Sequence, residues 1–466
     1  MNSIPQSDEN EQELNSSVTN FFKEYKISKL LRICHAEKEK GVSALKIFRF
    51  LFCLIFSDRS MYMQIKTGNF KASFSKNTVY RFLCSTRTNW LRFTTMLSEM
   101  VANRFMRKLT NEKRDDVFII DDTFYSKTGY KKSELVAKVF DHVTMKHKKG
   151  FRLLTLGWSD GNSFVPVNFH LMSSAKDQNV LGTCKEFDKR SIAGKRRKQA
   201  RAKATDVLVD LLKSALHAGH SAKYVLFDTW FSSPKTICRI KKECSLDTIA
   251  MVKKSSKIKY LWNGQKLDIK EIYSRNKKRR GRSKYLLSVM VDIVSKKEDG
   301  TEDVVPAKIV YVRNTKKKKD WVALICTNTE LSENEIVRIY GKRWQTEVFY
   351  KTCKSWLKLG KECRSLSYDA MTAHVAIVFA RYMLLSIEQR KDTDERSICE
   401  LFYVLCDELA DITYSESLHL IVNAMLESLR ELFHFTDEQL EAFTADFVVR
   451  LPKYLQTALG YASEAA

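Results

Sequence analysis

Apolar positions divide the chain into stretches of different period. From Val18 to about Lys108 they recur at helical spacing, with Ser43–Phe56 running from amphipathic to strongly apolar. Ser75-Lys76-Asn77-Thr78-Val79-Tyr80-Arg81 opens a short helix after a turn containing Gly68 and Asn69. That arrangement fits either a helix-turn-helix or a plain helical bundle. Beyond it come short, strand-like apolar runs: Val117-Phe118-Ile119-Ile120 ending in Asp121-Asp122-Thr123, then segments around His142–Lys146, Phe151–Trp158 and Phe164–Leu171. Asp160-Gly161 signals a hairpin turn. Ala204–Leu216 is an amphipathic helix ended by Gly219. Tyr224-Val225-Leu226-Phe227 is a second apolar strand ending in an acid, Asp228. A helix from about Pro234 to Cys244 and a strand at Thr248–Val252 complete an α/β unit. Residues 254–326 alternate β-type segments with Lys and Arg runs and read as a β-rich insertion. A helix at Asp369–Gln389 and a helical end of the chain follow.

Leu331 to Gly360 reads as one long helix. Ser332 and Glu335 form a capping box, no proline interrupts the run, and Gly360 stands where a C-terminal glycine belongs. Tyr340, Arg343, Glu347 and Lys354 are three, seven and fourteen residues apart from the first. At about 100° per residue they fall within roughly 60° of one another. A carboxylate on that face can ligate a hard cation such as Mg²⁺, and the flanking cations can hold phosphate oxygens. A solvated, salt-bridged helix face is the competing reading.

Charge moves the balance toward a polyanion. The chain has 80 Lys and Arg against 55 Asp and Glu, a net +25. The excess is concentrated: Lys195–Lys198, Lys277–Arg282 and Lys316–Lys319 are basic runs, whereas residues from Arg396 onward carry twelve acids and four bases. That acidic tail is expected to contact protein rather than nucleic acid. Eleven Cys without a C-x-x-C, a polar N-terminus without a signal peptide, and apolar runs too short or interrupted to span a bilayer predict a reduced, cytoplasmic protein with no membrane partner.

Three carboxylates, Asp122, Asp228 and Glu347, thus stand at the ends of elements in a mixed α/β pattern. There they could bind two Mg²⁺ ions for phosphoryl transfer. Strand alternation lets only one of Asp121 and Asp122 face such a site. The Tyr340, Arg343, Glu347, Lys354 spacing, preceded by Ile120-Asp121-Asp122-Thr123 and Phe227-Asp228-Thr229-Trp230-Phe231, resembles the bacterial insertion-sequence transposases of the insertion-sequence-four family. The resemblance covers about residues 115–385.

It implies an α/β fold with a ribonuclease-H-like mixed-sheet catalytic core (111–253 and 327–390) and the β-rich insertion (254–326). A disordered tail (1–17), a helical DNA-binding region (18–110) and an acidic helical C-terminal region (391–466) flank these. It assigns Asp122, ahead of Asp121, with Asp228 and Glu347 as catalytic ligands of two Mg²⁺ ions that Mn²⁺ can replace. It gives Tyr340, Arg343 and Lys354 phosphate contacts. Trp321, nineteen residues before Tyr340, becomes either a stacking platform for a flipped base or a strand core residue. The implied activity is cut-and-paste DNA transposition on terminal inverted repeats and target duplex, with a homodimer in the paired-end complex. A nuclease or resolvase on the same fold, and a non-catalytic DNA-binding derivative, are the alternatives.

Overall fold

The computed structural model describes residues 17–459, apart from 38–39, 57–60, 69, 71, 110–113, 142–144, 280–284, 297–298, 315–319 and 392–397. The expected disordered tail (1–17, apart from Ser17), the run Lys316–Lys319, part of Lys277–Arg282 and most of the strand expected at His142–Lys146 therefore lie outside the described residues. The chain forms two compact units, one of residues 22–52 and 71–398, the other of residues 1–21, 53–70 and 399–466.

Helices open the chain as the apolar period predicts: α1 (Ser17–Glu24), α2 (Ile27–Ile33), α3 (Ala44–Cys53), α4 (Met61–Lys66), α5 (Lys76–Leu83) and α6 (Trp90–Arg104). The Asn89 side chain caps α6 by accepting from the Arg92 N–H at 3.1 Å, and Trp90, Phe93, Leu97 and Val101 bury one stripe of it. Asn69, in the turn of the candidate helix-turn-helix, lies outside the described residues.

The larger unit is built on one sheet. Its first strands are β1 (Val117–Ser126), β2 (Ala137–Asp141), β3 (Lys146–Ser159) and β4 (Phe164–Met172). The second thus precedes the segment expected at His142–Lys146. The β3–β4 hairpin turns at Asp160-Gly161, where Gly161 takes φ +100°, a conformation that costs glycine nothing. Next come α7 (Ile192–Ala200), α8 (Ala204–His217), β5 (Tyr224–Phe227), α9 (Pro234–Cys244) and β6 (Asp247–Met251). Ser233 caps α9 and Pro234 occupies its first turn. The basic stretch then supplies β7 (Tyr260–Trp262), β8 (Gln265–Leu267), α10 (Ile269–Arg275), β9 (Tyr285–Lys296), β10 (Glu302–Arg313) and β11 (Trp321–Cys326).

These strands form a single eleven-stranded sheet in the order β2-β3-β1-β5-β6-β11-β10-β9-β7-β8, with β4 paired to β3. The β-rich stretch is not set apart from the core. It extends the core sheet, because β11 pairs antiparallel with β6 through Leu324↔Met251 to Cys326↔Ile249.

Leu331–Gly360 is two helices rather than one: α11 (Glu333–Gly341) and α12 (Trp344–Ser355). Between them the bonds from Lys342 N–H to Ile339 C=O and from Arg343 N–H to Tyr340 C=O tighten the chain to 3₁₀ spacing and break the α ladder. The capping box at Ser332 and Glu335 is present. Gly360 adopts φ +76° beyond the helix end. The core helix α13 (Tyr368–Arg390) is apolar on every side and long enough to cross a membrane, yet its apolar stretch is wholly buried in the protein. Inside it, the Arg381 guanidinium bonds Glu362 and the Phe52 carbonyl. The other unit carries α14 (Ile398–Phe433), α15 (Asp437–Arg450) and α16 (Lys453–Ala458), helical as expected, and exposes Leu420, Ile421, Leu432, Phe433 and Val449.

His220 is buried between α6 and the sheet, its Nε2 2.9 Å from Ser98 Oγ. Burial lowers its pKa to about 4, and the same holds for His170 and His374. The unfolded chain takes up these protons below about 6.5, so stability present above that pH is lost as pH falls toward 4. We expect His220→Gln to remove about 2 kcal/mol of the loss between pH 7 and pH 5, measured by urea denaturation; an unchanged pH profile would refute it.

Candidate active site

The parallel pairing of β1 with β5 runs Val117↔Tyr224, Phe118↔Val225 and Ile119↔Leu226. Carried two residues further, this register sets Asp121 beside Asp228 on one face of the sheet, and Asp122 on the other. Helix α12 crosses the face that Asp121 occupies. Tyr350 OH donates to the Asp121 carbonyl at 3.0 Å, and Lys354 Nζ donates to Thr123 Oγ1 at 2.5 Å. The helix break puts Glu347 in the first turn of α12, at the positive end of that helix's dipole.

Arg343 joins the two elements. One guanidinium nitrogen lies 3.0 Å from Asp121 Oδ2 and the other 3.0 Å from Glu347 Oε1. Asp228 Oδ1 accepts from the Trp230 N–H at 2.9 Å, closing a turn that holds the carboxylate at the strand end. Burial raises the Asp121 pKa to about 7; Arg343 opposes the rise, while Asp228 and Glu347 add to it. Burial also works against the Arg343 charge, but Tyr340, Asp121, Glu347 and Asp228 together hold its pKa above the ordinary value. The Tyr340 hydroxyl is buried, which pushes its pKa up to about 12. Burial lowers the Lys354 pKa.

Asp122, the first aspartate in the sequence assignment, points away from this group and forms an ion pair with Arg152 of β3. The register is the physical reason, since the residue in step with Asp228 is Asp121. Arg152 stands 4.7 Å from the centroid of the exposed Trp230 ring, and burial lowers its pKa to about 10 against the pull of Asp228 and Asp121. No motif marks Arg152 in the sequence; only the β1–β3 pairing brings it here. Tyr350 carried a legible signal, being three residues past Glu347 on the same helix. Trp321 is elsewhere, at the start of β11. Its ring stacks on Tyr273 at 4.8 Å, meets Tyr311 edge-on and has the Lys254 ammonium 4.0 Å from its centroid, so a flipped base must displace one of these contacts.

Asp121, Asp228 and Glu347 supply only hard oxygen donors, the chemistry that suits divalent magnesium or manganese. Burial, with smaller contributions from Asp228 and Glu347, raises the Asp121 pKa, and a bound cation would oppose that rise. Among the described residues no three acidic, His or Cys groups already stand at ligand spacing, and Arg343 occupies the place between Asp121 and Glu347. The donor set fits the metal once Arg343 gives up these contacts.

Residues 53–295 match the family model of the DDE superfamily endonucleases, just over half of the chain. The chain belongs to that family. The matched span contains Asp121, Asp122 and Asp228 and stops before Glu347. No curated protein matches the chain. Membership makes this a DNA-acting protein of nuclease or transposase type, in a superfamily that generally uses divalent metal ions.

Arg343→Met is expected to lower stability by about 1–3 kcal/mol at pH 8 and by less at pH 5.5, measured by urea denaturation. Below about 7 the folded protein already holds Asp121 protonated, so the guanidinium has less charge to offset. An equal loss at both pH values would contradict the Asp121–Arg343 coupling.

Proposed function

We propose that this endonuclease-family chain is a DNA transposase of the insertion-sequence-four type, cleaving at transposon ends and joining them to target DNA. The strand register that sets Asp121 beside Asp228, with Arg343 bonded to both Asp121 and Glu347, carries the reading. The strand order supports a ribonuclease-H-like core: β1 lies between antiparallel β3 and parallel β5, with β4 beyond β3 and parallel β6 beyond β5. The Tyr340, Arg343, Glu347, Lys354 spacing supports the narrower family.

In this reading Asp121 replaces Asp122 as first ligand and, with Asp228 and Glu347, holds two divalent ions. Bound there, such ions stabilise the attacking and leaving oxygens of an in-line displacement. Arg343, released from its carboxylates, binds non-bridging phosphate oxygens, and Lys354 adds charge from the same helix face. Tyr340, whose hydroxyl is buried and neutral, orients the phosphate beside Arg343 by hydrogen bonding. The Asp122–Arg152 pair keeps Arg152 against Trp230 and so shapes the Asp228 turn. The exposed apolar side chains of α14 and α15 support a protein partner there, a second copy in the paired-end complex.

Membership of an endonuclease family favours one second reading: cleavage without joining. The test uses the purified full chain, Mg²⁺ and duplex carrying the repeats that flank its gene. Cleavage followed by joining is expected for the wild type. Asp121→Asn, Asp228→Asn and Glu347→Gln should each lose about two orders of magnitude or more, while Asp122→Asn should lose far less. Joining absent from the wild type leaves the nuclease. Loss with Asp122→Asn and retention with Asp121→Asn would restore the sequence assignment of the first ligand.

A further inference from the structure

The basic run at Lys195–Lys198 is not a uniform solvated cluster. Arg196 and Arg197 are buried: Arg196 bonds Asp369 and the Thr88 carbonyl, and Arg197 bonds Glu134 and Asp369. These contacts fix α7 against α13, and helical spacing turns Lys195 and Lys198 out to solvent.

There they meet cations from another part of the chain. A cavity of about 1040 Å³ is lined by α2, α6, α7 and α8, and none of the carboxylate site residues lines it. Lys26, Lys29, Arg92, Arg104, Lys195 and Lys198 all reach it and all are exposed. Among the described residues none of these six makes an ion pair. The cavity has two acids. Glu99 accepts from the Asn103 amide, and Asp210 accepts from the Gln199 amide, so neither is tied to a cation of the rim.

A small anionic metabolite calls for a few converging, fixed donors in an enclosed pocket. Here the one buried cation in the wall, Arg196, is already committed to Asp369 and Thr88. The remaining charge is spread over six long, flexible side chains. Spread, mobile cations recognise a repeating charge, and a phosphodiester backbone offers one about every 3.4 Å per strand.

We propose that this cavity binds the sugar–phosphate backbone of duplex DNA without reading its sequence, apart from the carboxylate site. The proposal rests on the family's DNA substrate, not on the transposase reading. Contacts of this kind position the duplex rather than select it. They couple the N-terminal helices and the catalytic core to one stretch of DNA, since α2 and α6 supply Lys26, Lys29, Arg92 and Arg104 while α7 supplies Lys195 and Lys198.

The experiment measures fluorescence anisotropy of a labelled duplex of arbitrary sequence with the full chain between 50 and 200 mM KCl, without divalent metal. Replacing Lys26, Lys29, Lys195 and Lys198 by Gln should lower the slope of log affinity against log salt by about 3 to 4, at about 0.9 per lost phosphate contact. In parallel, amine acetylation of the wild type read by mass spectrometry should show these four lysines protected by the duplex, a result that needs no variant to fold. An unchanged slope, or four lysines labelled equally with and without DNA, overturns the proposal. Wild-type protein that binds no duplex overturns it together with the DNA partner. DNA binding with the expected slope change but no cleavage leaves the cavity in place and removes the catalytic reading alone.

Discussion

The register between β1 and β5 is the constraint on which the site depends. All four residues of β5 and the first four of β1 are apolar and buried, so a slip of one position would turn valines and phenylalanines to the wrong face. Burial thus sets the register, and the register sets Asp121 beside Asp228. Two carboxylates on neighbouring strands repel. Burial is the main cause of the raised Asp121 pKa and this repulsion adds to it; Arg343, which reaches Asp121 from one side and Glu347 from the other, opposes the rise. A site for a divalent cation is in this sense an electrostatic conflict held in place by strands too well packed to relieve it.

The break between α11 and α12 belongs to the same arrangement. A continuous helix would carry Glu347 in mid-helix and leave no junction at Arg343. Interrupting the ladder at Lys342 and Arg343 starts a new helix whose first turn carries Glu347, and leaves Arg343 at the junction where it can bridge. On the far side of the core, buried ion pairs do a different job. Arg197 between Glu134 and Asp369, with the Glu134 carboxylate also accepting from the Tyr368 N–H, clamps the start of α13 to α7 and to the segment before β2. Each group there is paired, so its desolvation is compensated, whereas loss of one partner would strand a buried charge.

Much of the architecture was legible along the chain. Apolar runs with turn signals located β1, β3, β4, β5 and β6, apolar patterning located α8 and α9, and the capping box located the start of α11. Local pattern sufficed because each of these elements is specified by its own burial and its own ends. Two things were not legible. A 3₁₀ junction inside Leu331–Gly360 carries no proline and only a single unremarkable glycine, Gly341, so nothing local announces it. The joining of β11 to β6 depends on pairing between residues more than seventy positions apart, and the Lys-rich stretch between them suggested a separate element instead.

By itself the sequence carried the residue types of the site: two acid-ended strands, Tyr340, Arg343, Glu347 and Lys354 at fixed offsets, and a large basic excess. These follow from residue type and spacing, which the chain carries explicitly. Only the tertiary structure sets Asp121, and not Asp122, in step with Asp228, because adjacent residues of a strand are equivalent until a neighbouring strand is laid beside them. It also divided the basic run at 195–198 into two buried arginines and two exposed lysines, and set those lysines beside Lys26 and Lys29. Charge is a property of the residue; whether that charge is spent inside the protein or left for a partner is decided by what packs against it.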